Sequence, residues 1–256
     1  MQLQDKVAIV TGADSGIGQA TAEALAREGA HVCISYHTDK DGAAETRRRV
    51  EAAGRRAHVT QADVSDPKSV DALFAEAEGA LGVPDLLVAN AGTGMSGMPV
   101  AEMDEAKAQL VIQTDLMGPL WCARAFIRQR HTAGGRGRIL FIGSVAGHLP
   151  TPESAPYGMA KAGVNSLVRS LSRELAEDRI NVNAIAPGLI ATPMTQKRLD
   201  DPEAREKSMQ NIPWRRPGRP EEIAGLAVFL LSDAADYVTG QTWVMDGGLT
   251  MNWGGA

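Results

Sequence analysis

The segment KVAIVTGADSGIG spans residues 6–18 and runs from an apolar stretch into a turn that contains three glycines. An amphipathic segment follows over residues 18–28, so the predicted order is strand, turn, helix. Glycines let the backbone turn sharply and approach a pyrophosphate closely, and the helix N-terminus offers free N–H groups and a positive dipole end. In this context the segment predicts a dinucleotide-binding site.

Apolar runs of strand length recur along the chain and alternate with helical patterns. After the first strand, strands are predicted over residues 30–36, 57–61, 85–89, 138–142, 180–185 and 241–245. A charged helix is predicted over 41–53, and the longest helices over about 101–130 and 157–177. This alternation predicts a Rossmann-type, doubly wound parallel sheet with helices on both faces, as one α/β domain over residues 1–256.

Composition and charge narrow the class of protein. The 256 residues are 44% hydrophobic and 22% charged, with a net charge of -5, which suits a globular enzyme and offers no basic face for nucleic acid. Cys33 and Cys122 lie far apart in apolar segments, which predicts buried thiols without a disulfide or a metal site. The apolar runs are too short to span a membrane, and the N-terminus has no signal-peptide pattern, so a cytoplasmic protein is predicted.

The spacing of the first turn resembles that of the short-chain dehydrogenase/reductase family, and further motifs follow in that family's order over essentially the whole chain. They are Asp63-Val64, Asn90-Ala91-Gly92, Ser144, Tyr157-x-x-x-Lys161 and Pro187-Gly188 to Thr192. The resemblance implies an NAD(P)-dependent oxidoreductase. It implies cofactor contacts at Gly12, Asp14, Ser15, Gly16, Ile17, Gly18, Tyr36, His37, Asp63, Val64, Asn90, Ala91, Gly92, Tyr157, Lys161, Pro187, Gly188, Ile190 and Thr192.

Tyr157 and Lys161 can perform proton chemistry together. They are four residues apart on a predicted helix and therefore share one face. A tyrosine hydroxyl is a poor base at neutral pH, but a nearby ammonium favours the phenolate. Tyr157 is thus predicted to accept a proton from an alcohol, or to donate one in the reverse reaction. By the resemblance, Ser144 orients the substrate oxygen and Lys161 also holds the nicotinamide ribose.

One residue departs from the family pattern. The family carries Asn-x-x-Gly in the helix before the catalytic serine, and the matching segment here is Asp115-Leu116-Met117-Gly118. An ionised aspartate accepts hydrogen bonds but has no amide donor. Our hypothesis is that Asp115 still positions a proton-relay water and lies close enough to Lys161 to strengthen its charged form. The alternative is a residue at a helix bend with no part in catalysis.

The end of the second predicted strand bears on the cofactor. Tyr36 stands where a fold that prefers NAD carries an acid on the ribose 2′-hydroxyl. His37 could donate a hydrogen bond to a 2′-phosphate, and Lys40 is cationic, although no arginine is present in this turn. We therefore predict that NADP is accepted and that NAD is usable.

The substrate is less constrained. Residues 187–220 read as an irregular stretch rich in proline, and 188–219 are predicted to form the substrate loop. Its pattern resembles bacterial glucose 1-dehydrogenases, which implies a sugar or polyol hydroxyl or carbonyl as the reacting group. His148, Glu153 and Gln196 are candidates to bind sugar hydroxyls.

Two alternatives remain open from the sequence. One is a carbonyl reductase of 3-oxoacyl thioesters or other ketones, and the other is a dinucleotide-binding protein without turnover. The intact Ser144, Tyr157 and Lys161 argue against the second. By the resemblance a homotetramer is predicted, with the long helices and the apolar tail over residues 249–253 at its interfaces.

Overall fold

Seven parallel strands form the centre of the computed structural model, which describes residues 1–94 and 96–251. Their order across the sheet is β3-β2-β1-β4-β5-β6-β7, so the direction of winding reverses between β1 and β4. The strands are β1 Val7–Val10, β2 His31–Tyr36, β3 Ala57–Gln61, β4 Leu86–Ala89, β5 Gly137–Ile142, β6 Ile180–Pro187 and β7 Thr242–Met245. The predicted Rossmann-type sheet is confirmed, and a ligand cleft is expected where the winding reverses.

Helices cover both faces of this sheet. They are α1 Gly16–Arg27, α2 Lys40–Ala52, α3 Pro67–Leu81, α4 Glu105–Ile112, α5 Gly118–Ala133, α6 Ala155–Glu174, α7 Pro193–Asp200, α8 Pro202–Asn211 and α9 Pro220–Leu231. Successive residues of β1 show the two cores, because side chains alternate along a strand. Ile9 packs in one core with Phe74 and Phe126, and Val10 packs in the other with Leu25.

The prediction of a single long helix over 101–130 is wrong, because the segment is not one continuous α-helix. The structure has α4 and α5 instead, joined by a π-helical turn, Gln113–Met117. Pro119 has no N–H to donate to the carbonyl of Asp115, and its ring would collide with that carbonyl in a regular helix. The wider π turn avoids this conflict and holds Asp115 at its centre, fully buried.

The stretch 187–220, predicted to be irregular, contains two short helices. Pro193 and Pro202 open α7 and α8 instead of interrupting structure. A first helical turn tolerates proline because its N–H groups have no partner within the helix. The Asp201 side chain accepts hydrogen bonds from the amides of Glu203 and Ala204 and so caps α8.

Both cysteines lie in the protein interior, as the sequence predicts. Cys33 and Cys122 are buried and unpaired, and burial raises the pKa of both thiols to about 12, so neither is a reactive thiolate. No helix in the described ranges is both long and apolar enough to cross a membrane. Of the predicted interface tail, residues 249–251 form a short 3-10 turn, and Asn252 and Trp253 lie outside the described residues.

Candidate active site

A cleft of about 470 Å³ opens at the carboxyl ends of the strands, where the winding of the sheet reverses. Its wall contains every residue predicted for catalysis or cofactor binding except Gly18, as far as residues 1–94 and 96–251 show. The predicted residues in the wall are Gly12, Asp14, Ser15, Gly16, Ile17, Tyr36, His37, Asp63, Val64, Asn90, Ala91, Gly92, Asp115, Ser144, Tyr157, Lys161, Pro187, Gly188, Ile190 and Thr192.

The glycine turn after β1 is shaped by positions that exclude side chains. Gly12 and Gly16 have φ of 60° and 53°, a conformation that glycine adopts without strain. Gly18 supports the turn from behind, because a Cβ there would lie 2.2 Å from the carbonyl oxygen of Gly12. Asn90 donates from Nδ2 to the carbonyls of Thr11 and Gly12, each at 2.9 Å. The turn is therefore held tightly from the loop that follows β4.

This turn fits the pyrophosphate of NAD(P). Ser15, the N-cap residue of α1, makes no capping hydrogen bond with its side chain, so the amides of the first helical turn are left to an anionic ligand. Thr46, which the sequence reasoning missed, is fully buried and donates to the carbonyl of Ala13 at 2.7 Å. That bond ties the turn to α2.

The end of the cleft formed by Tyr36, His37 and Asp63, which is predicted to hold the adenine ribose and is called the adenine end, is more open. Tyr36 is buried, whereas the His37 side chain is 66% exposed, with Nε2 3.9 Å from the carboxylate of Asp63. Burial alone would raise the pKa of Asp63, but hydrogen bonds from Ser65 and the nearby His37 outweigh it and lower that pKa. Lys40 begins α2 and is not part of the cleft wall that the structure describes, which leaves His37 as the basic residue at this end.

The end of the cleft that contains the predicted catalytic residues Ser144, Tyr157 and Lys161, called the catalytic end, lies between α6 and the turn after β5. Tyr157 is partly exposed, and Lys161 is 5% exposed with Nζ 5.5 Å from the centre of the tyrosine ring. Ser144 precedes a 3-10 turn, Val145–Gly147, and its Oγ accepts a hydrogen bond from the amide of Ala146 at 3.1 Å. The hydroxyl proton of Ser144 is then available to a substrate oxygen.

Asp115 lies directly behind this end of the cleft. Its Oδ2 is 3.2 Å from Lys161 Nζ, and its Oδ1 accepts from the amide of Thr93 at 2.7 Å. Lys161 also donates to the carbonyl of Ile142 at 3.3 Å. Burial raises the pKa of Asp115 and outweighs the opposing effects of Lys161 and Thr93. Burial would lower the pKa of Lys161, but Asp115 and then Tyr157 outweigh it, so that pKa is raised.

The cleft wall also contains residues that the sequence reasoning missed. Leu110 and Met194 are 52% and 59% exposed, and both line the cleft together with Thr93 and Thr114. Leu110 belongs to no motif, and Thr114 precedes the Asp115 motif position without being part of the motif, so only the folded arrangement reveals them. No signal in the sequence distinguishes Met194 from other exposed methionines.

The three polar residues proposed for sugar binding are not part of the described cleft wall. Nε2 of His148 lies 3.3 Å from Nδ2 of the Asn165 side chain. Gln196 donates to Asp200 one helical turn later, at 2.7 Å. Glu153 is exposed, and its backbone carbonyl accepts from Met98. These three side chains therefore do not line the described cleft that contains Tyr157.

Comparisons with known proteins cover nearly the whole chain. A family model described as enoyl-(acyl carrier protein) reductase matches residues 12–250. The chain is 40% identical to 3beta-hydroxysteroid dehydrogenase 1 of Eggerthella lenta, covering 97% of this chain and 95% of that one. It is 37% identical to glucose 1-dehydrogenase 2 of Bacillus subtilis (97% and 96%), and 39% identical to a 3-oxoacyl-[acyl-carrier-protein] reductase of Synechocystis (97% and 98%).

Solved structures agree with these relatives. A protein of Sinorhizobium meliloti assigned as a short-chain alcohol dehydrogenase superposes with a TM-score of 0.93 at 39% identity, covering 98% of each chain. A protein of Agrobacterium tumefaciens assigned as a 2-deoxy-D-gluconate 3-dehydrogenase, solved with bound NADP, superposes with a TM-score of 0.90 at 34% identity, again over 98% of each chain.

Proposed function

Because this chain belongs to the short-chain dehydrogenase/reductase family, an oxidoreductase family acting on CH–OH groups, we propose that it interconverts a secondary alcohol and a ketone with NAD(P). The observation that carries the proposal is the cluster of Ser144, Tyr157 and Lys161 in one cleft with the glycine turn. Bound NAD(P) would supply the hydride acceptor for the alcohol carbon, or the hydride donor for a carbonyl.

The chain's own residues supply binding and proton transfer. Gly12, Gly16 and the first turn of α1 would hold the pyrophosphate. Ser144 donates a hydrogen bond to the substrate oxygen and sets its distance from Tyr157. Tyr157 accepts the hydroxyl proton during oxidation, and it returns a proton to the oxygen during reduction. Lys161 stabilises the phenolate form of Tyr157 through its positive charge.

The composition of the cleft wall favours an uncharged substrate with an apolar portion. The acidic and basic side chains in the described wall are Asp14, His37 and Asp63, which follow β1 to β3, and the paired Asp115 and Lys161. None of them offers a free charge beside the reacting oxygen. Leu110 and Met194 add exposed apolar surface to the same wall, and burying that surface against a substrate is favourable.

A sugar or polyol is the second candidate substrate. The 37% identity to glucose 1-dehydrogenase 2 of Bacillus subtilis favours it. The hydroxyls of Thr93 and Thr114, both in the cleft wall, could bind sugar hydroxyls. The residues first proposed for that task, His148, Glu153 and Gln196, do not support it.

The experiment is to follow absorbance of the reduced nicotinamide with NAD or NADP and a panel of substrates. The panel contains apolar secondary alcohols, aldoses and polyols, with ketones and a 3-oxoacyl thioester in the reverse direction. Oxidation of the apolar alcohols supports the leading proposal, and oxidation of aldoses alone supports the second. The absence of turnover on the whole panel contradicts the proposed function.

For the cofactor, we infer that NADP is accepted beside NAD. Tyr36 replaces the acid that would repel a 2′-phosphate, and His37 lies at the adenine end as a hydrogen-bond donor. The similar Agrobacterium protein was solved with bound NADP. Titration of both reduced cofactors, followed by nicotinamide fluorescence, tests this inference.

The predicted homotetramer remains a proposal. Trp243 and Val244 lie on the edge strand β7 and are 37% and 41% exposed. Exposed apolar side chains on an unpaired edge support contact with a further chain. Light scattering coupled to size-exclusion chromatography measures the mass in solution, and a monomeric mass contradicts the proposal.

A further inference from the structure

The buried pair of Asp115 and Lys161 carries an inference about how the active site is tuned. Asp115 is fully buried and Lys161 nearly so, which means that each charge depends on the other instead of on water. Breaking a buried pair by removing one partner is costly, because the remaining charge is left without compensation. The electrostatic effect on Tyr157 therefore depends on Asp115 and Lys161 together, not on Lys161 alone.

The carboxylate of Asp115 also joins separate parts of the fold. It reaches from the π turn to the amide of Thr93 in the loop after β4, and to Lys161 on α6. Through Lys161 the chain of contacts continues to the carbonyl of Ile142 on β5. Gly92 leaves room for the pair, since a Cβ there would lie 2.9 Å from Asp115 Oδ2 and 3.6 Å from Lys161 Nζ.

Resting on the proposed function, we propose that Asp115 is a positioning residue that acts as a fixed counter-ion of Lys161. It holds the ammonium in place and offsets part of its positive charge at Tyr157. Tyr157 therefore becomes the working base at a higher pH than it would with an uncharged residue at position 115. The aspartate in place of the family's asparagine thus sets the pH range of alcohol oxidation.

The groups that surround Tyr157 determine whether Asp115 raises or lowers the pH at which Tyr157 becomes the working base. The Lys161 ammonium lies 5.5 Å from the tyrosine ring and favours the phenolate. The Asp115 carboxylate, 3.2 Å from that ammonium, acts on the phenolate in the opposite direction. The loop after β4 presents the backbone amide of Thr93, and β5 presents the carbonyl of Ile142; neither group titrates. The other acidic and basic residues of the described wall, Asp14, His37 and Asp63, follow β1 to β3.

The test compares the protein with Asp115→Asn, which keeps the shape of the side chain and removes its charge. The sequence has three tyrosines, so the difference between each protein and its Tyr157→Phe derivative isolates tyrosinate absorbance of Tyr157. We expect the pH midpoint of that absorbance to fall by about one unit in Asp115→Asn. The acidic limb of alcohol oxidation should move in the same direction.

Controls separate this proposal from a purely structural role. Asp71→Asn also removes one carboxylate, but from an exposed pair with Arg124 outside the described cleft wall, and should leave both midpoints unchanged. Asp115→Ala should shift the tyrosinate midpoint in the same direction as Asp115→Asn, and it replaces that variant if the asparagine protein does not fold. A tyrosinate midpoint that is unchanged or raised, the result expected if Asp115 acts mainly by keeping the buried Lys161 protonated, overturns the proposal. Because this midpoint needs no turnover, inactivity of the unmodified protein counts against the proposed function alone.

Discussion

The two ends of the cleft are built in different ways. At the catalytic end, Asp115 and Lys161 are buried and hold each other through an ion pair between two elements. At the adenine end, His37 is mostly exposed and lies only within loose reach of Asp63, at 3.9 Å. A buried ion pair tolerates little change, because removing one partner leaves a buried charge without compensation, whereas an exposed charge contributes little energy. We infer that the reaction is fixed by the core and that cofactor preference is set at the surface.

The largest effect is expected at the catalytic end. Tyr157→Phe removes the proton-transferring hydroxyl and should lower kcat/KM for alcohol oxidation by about 10²- to 10⁴-fold. Binding of the reduced cofactor, measured by nicotinamide fluorescence, should be nearly unchanged. A variant that keeps more than a tenth of the activity would show that another group moves the proton. No turnover in the unmodified protein would instead favour a dinucleotide-binding protein without catalysis.

The glycine turn, which lies between the two ends, should respond next. A Cβ at Gly18 would lie 2.2 Å from the carbonyl oxygen of Gly12 and 2.5 Å from Nδ2 of Asn90. Gly18→Ala should therefore lower the free energy of unfolding by about 1–3 kcal/mol and weaken cofactor binding. Urea unfolding and fluorescence titration measure the two effects.

Gly79→Ala is the matched control for this variant. Gly79 lies exposed in α3, and a Cβ there meets no atom within 4 Å among the described residues. The substitution should raise the free energy of unfolding by about 0.5–1 kcal/mol, because alanine favours a helix interior over glycine. If Gly18→Ala were as harmless as Gly79→Ala, the inference that Gly18 packs tightly against the glycine turn would be wrong.

The sequence predicts best those parts of the molecule that local chemistry determines. The strands are apolar runs bounded by turn residues, and the glycine turn is recognisable because its residues follow β1 directly. Tyr157 and Lys161 share a helix face by spacing alone. The fold was predicted from these features and the oxidoreductase class from the family resemblance of the motifs, and both are confirmed. The roles assigned to individual site residues stay predictions.

Features that depend on tertiary placement were not predictable. The π turn around Asp115 arises from a conflict between Pro119 and a helical carbonyl, and the overall helical pattern does not reveal it. Pro193 reads as a loop residue but opens a helix. Leu110 lines the cleft only because the fold places its helix, α4, beside the cleft. His148, although near Tyr157 in sequence, contacts Asn165.

A smaller effect is expected from Met194, an exposed apolar residue of the cleft wall. Met194→Gln replaces an apolar surface by an amide and should lower kcat/KM for apolar alcohols by about fivefold, or about 1 kcal/mol. Affinity for the cofactor should stay the same. Met251→Gln changes a methionine that is also exposed but lies outside the described cleft wall, and it should have no effect. Increased activity on apolar alcohols in Met194→Gln would contradict the proposed substrate class.

The smallest effect is expected at the adenine end, and it tests the comparison most directly. His37→Ala should weaken NADP binding by about two- to fivefold and leave NAD binding unchanged, because an exposed partner of a 2′-phosphate contributes about 0.5–1 kcal/mol. His131→Ala, which removes an exposed histidine paired with Asp178, is the control and should change neither affinity. Equal losses for both cofactors would mean that His37 supports the fold of the cleft, and a loss as large as that of Tyr157→Phe would mean that cofactor preference is not a surface property.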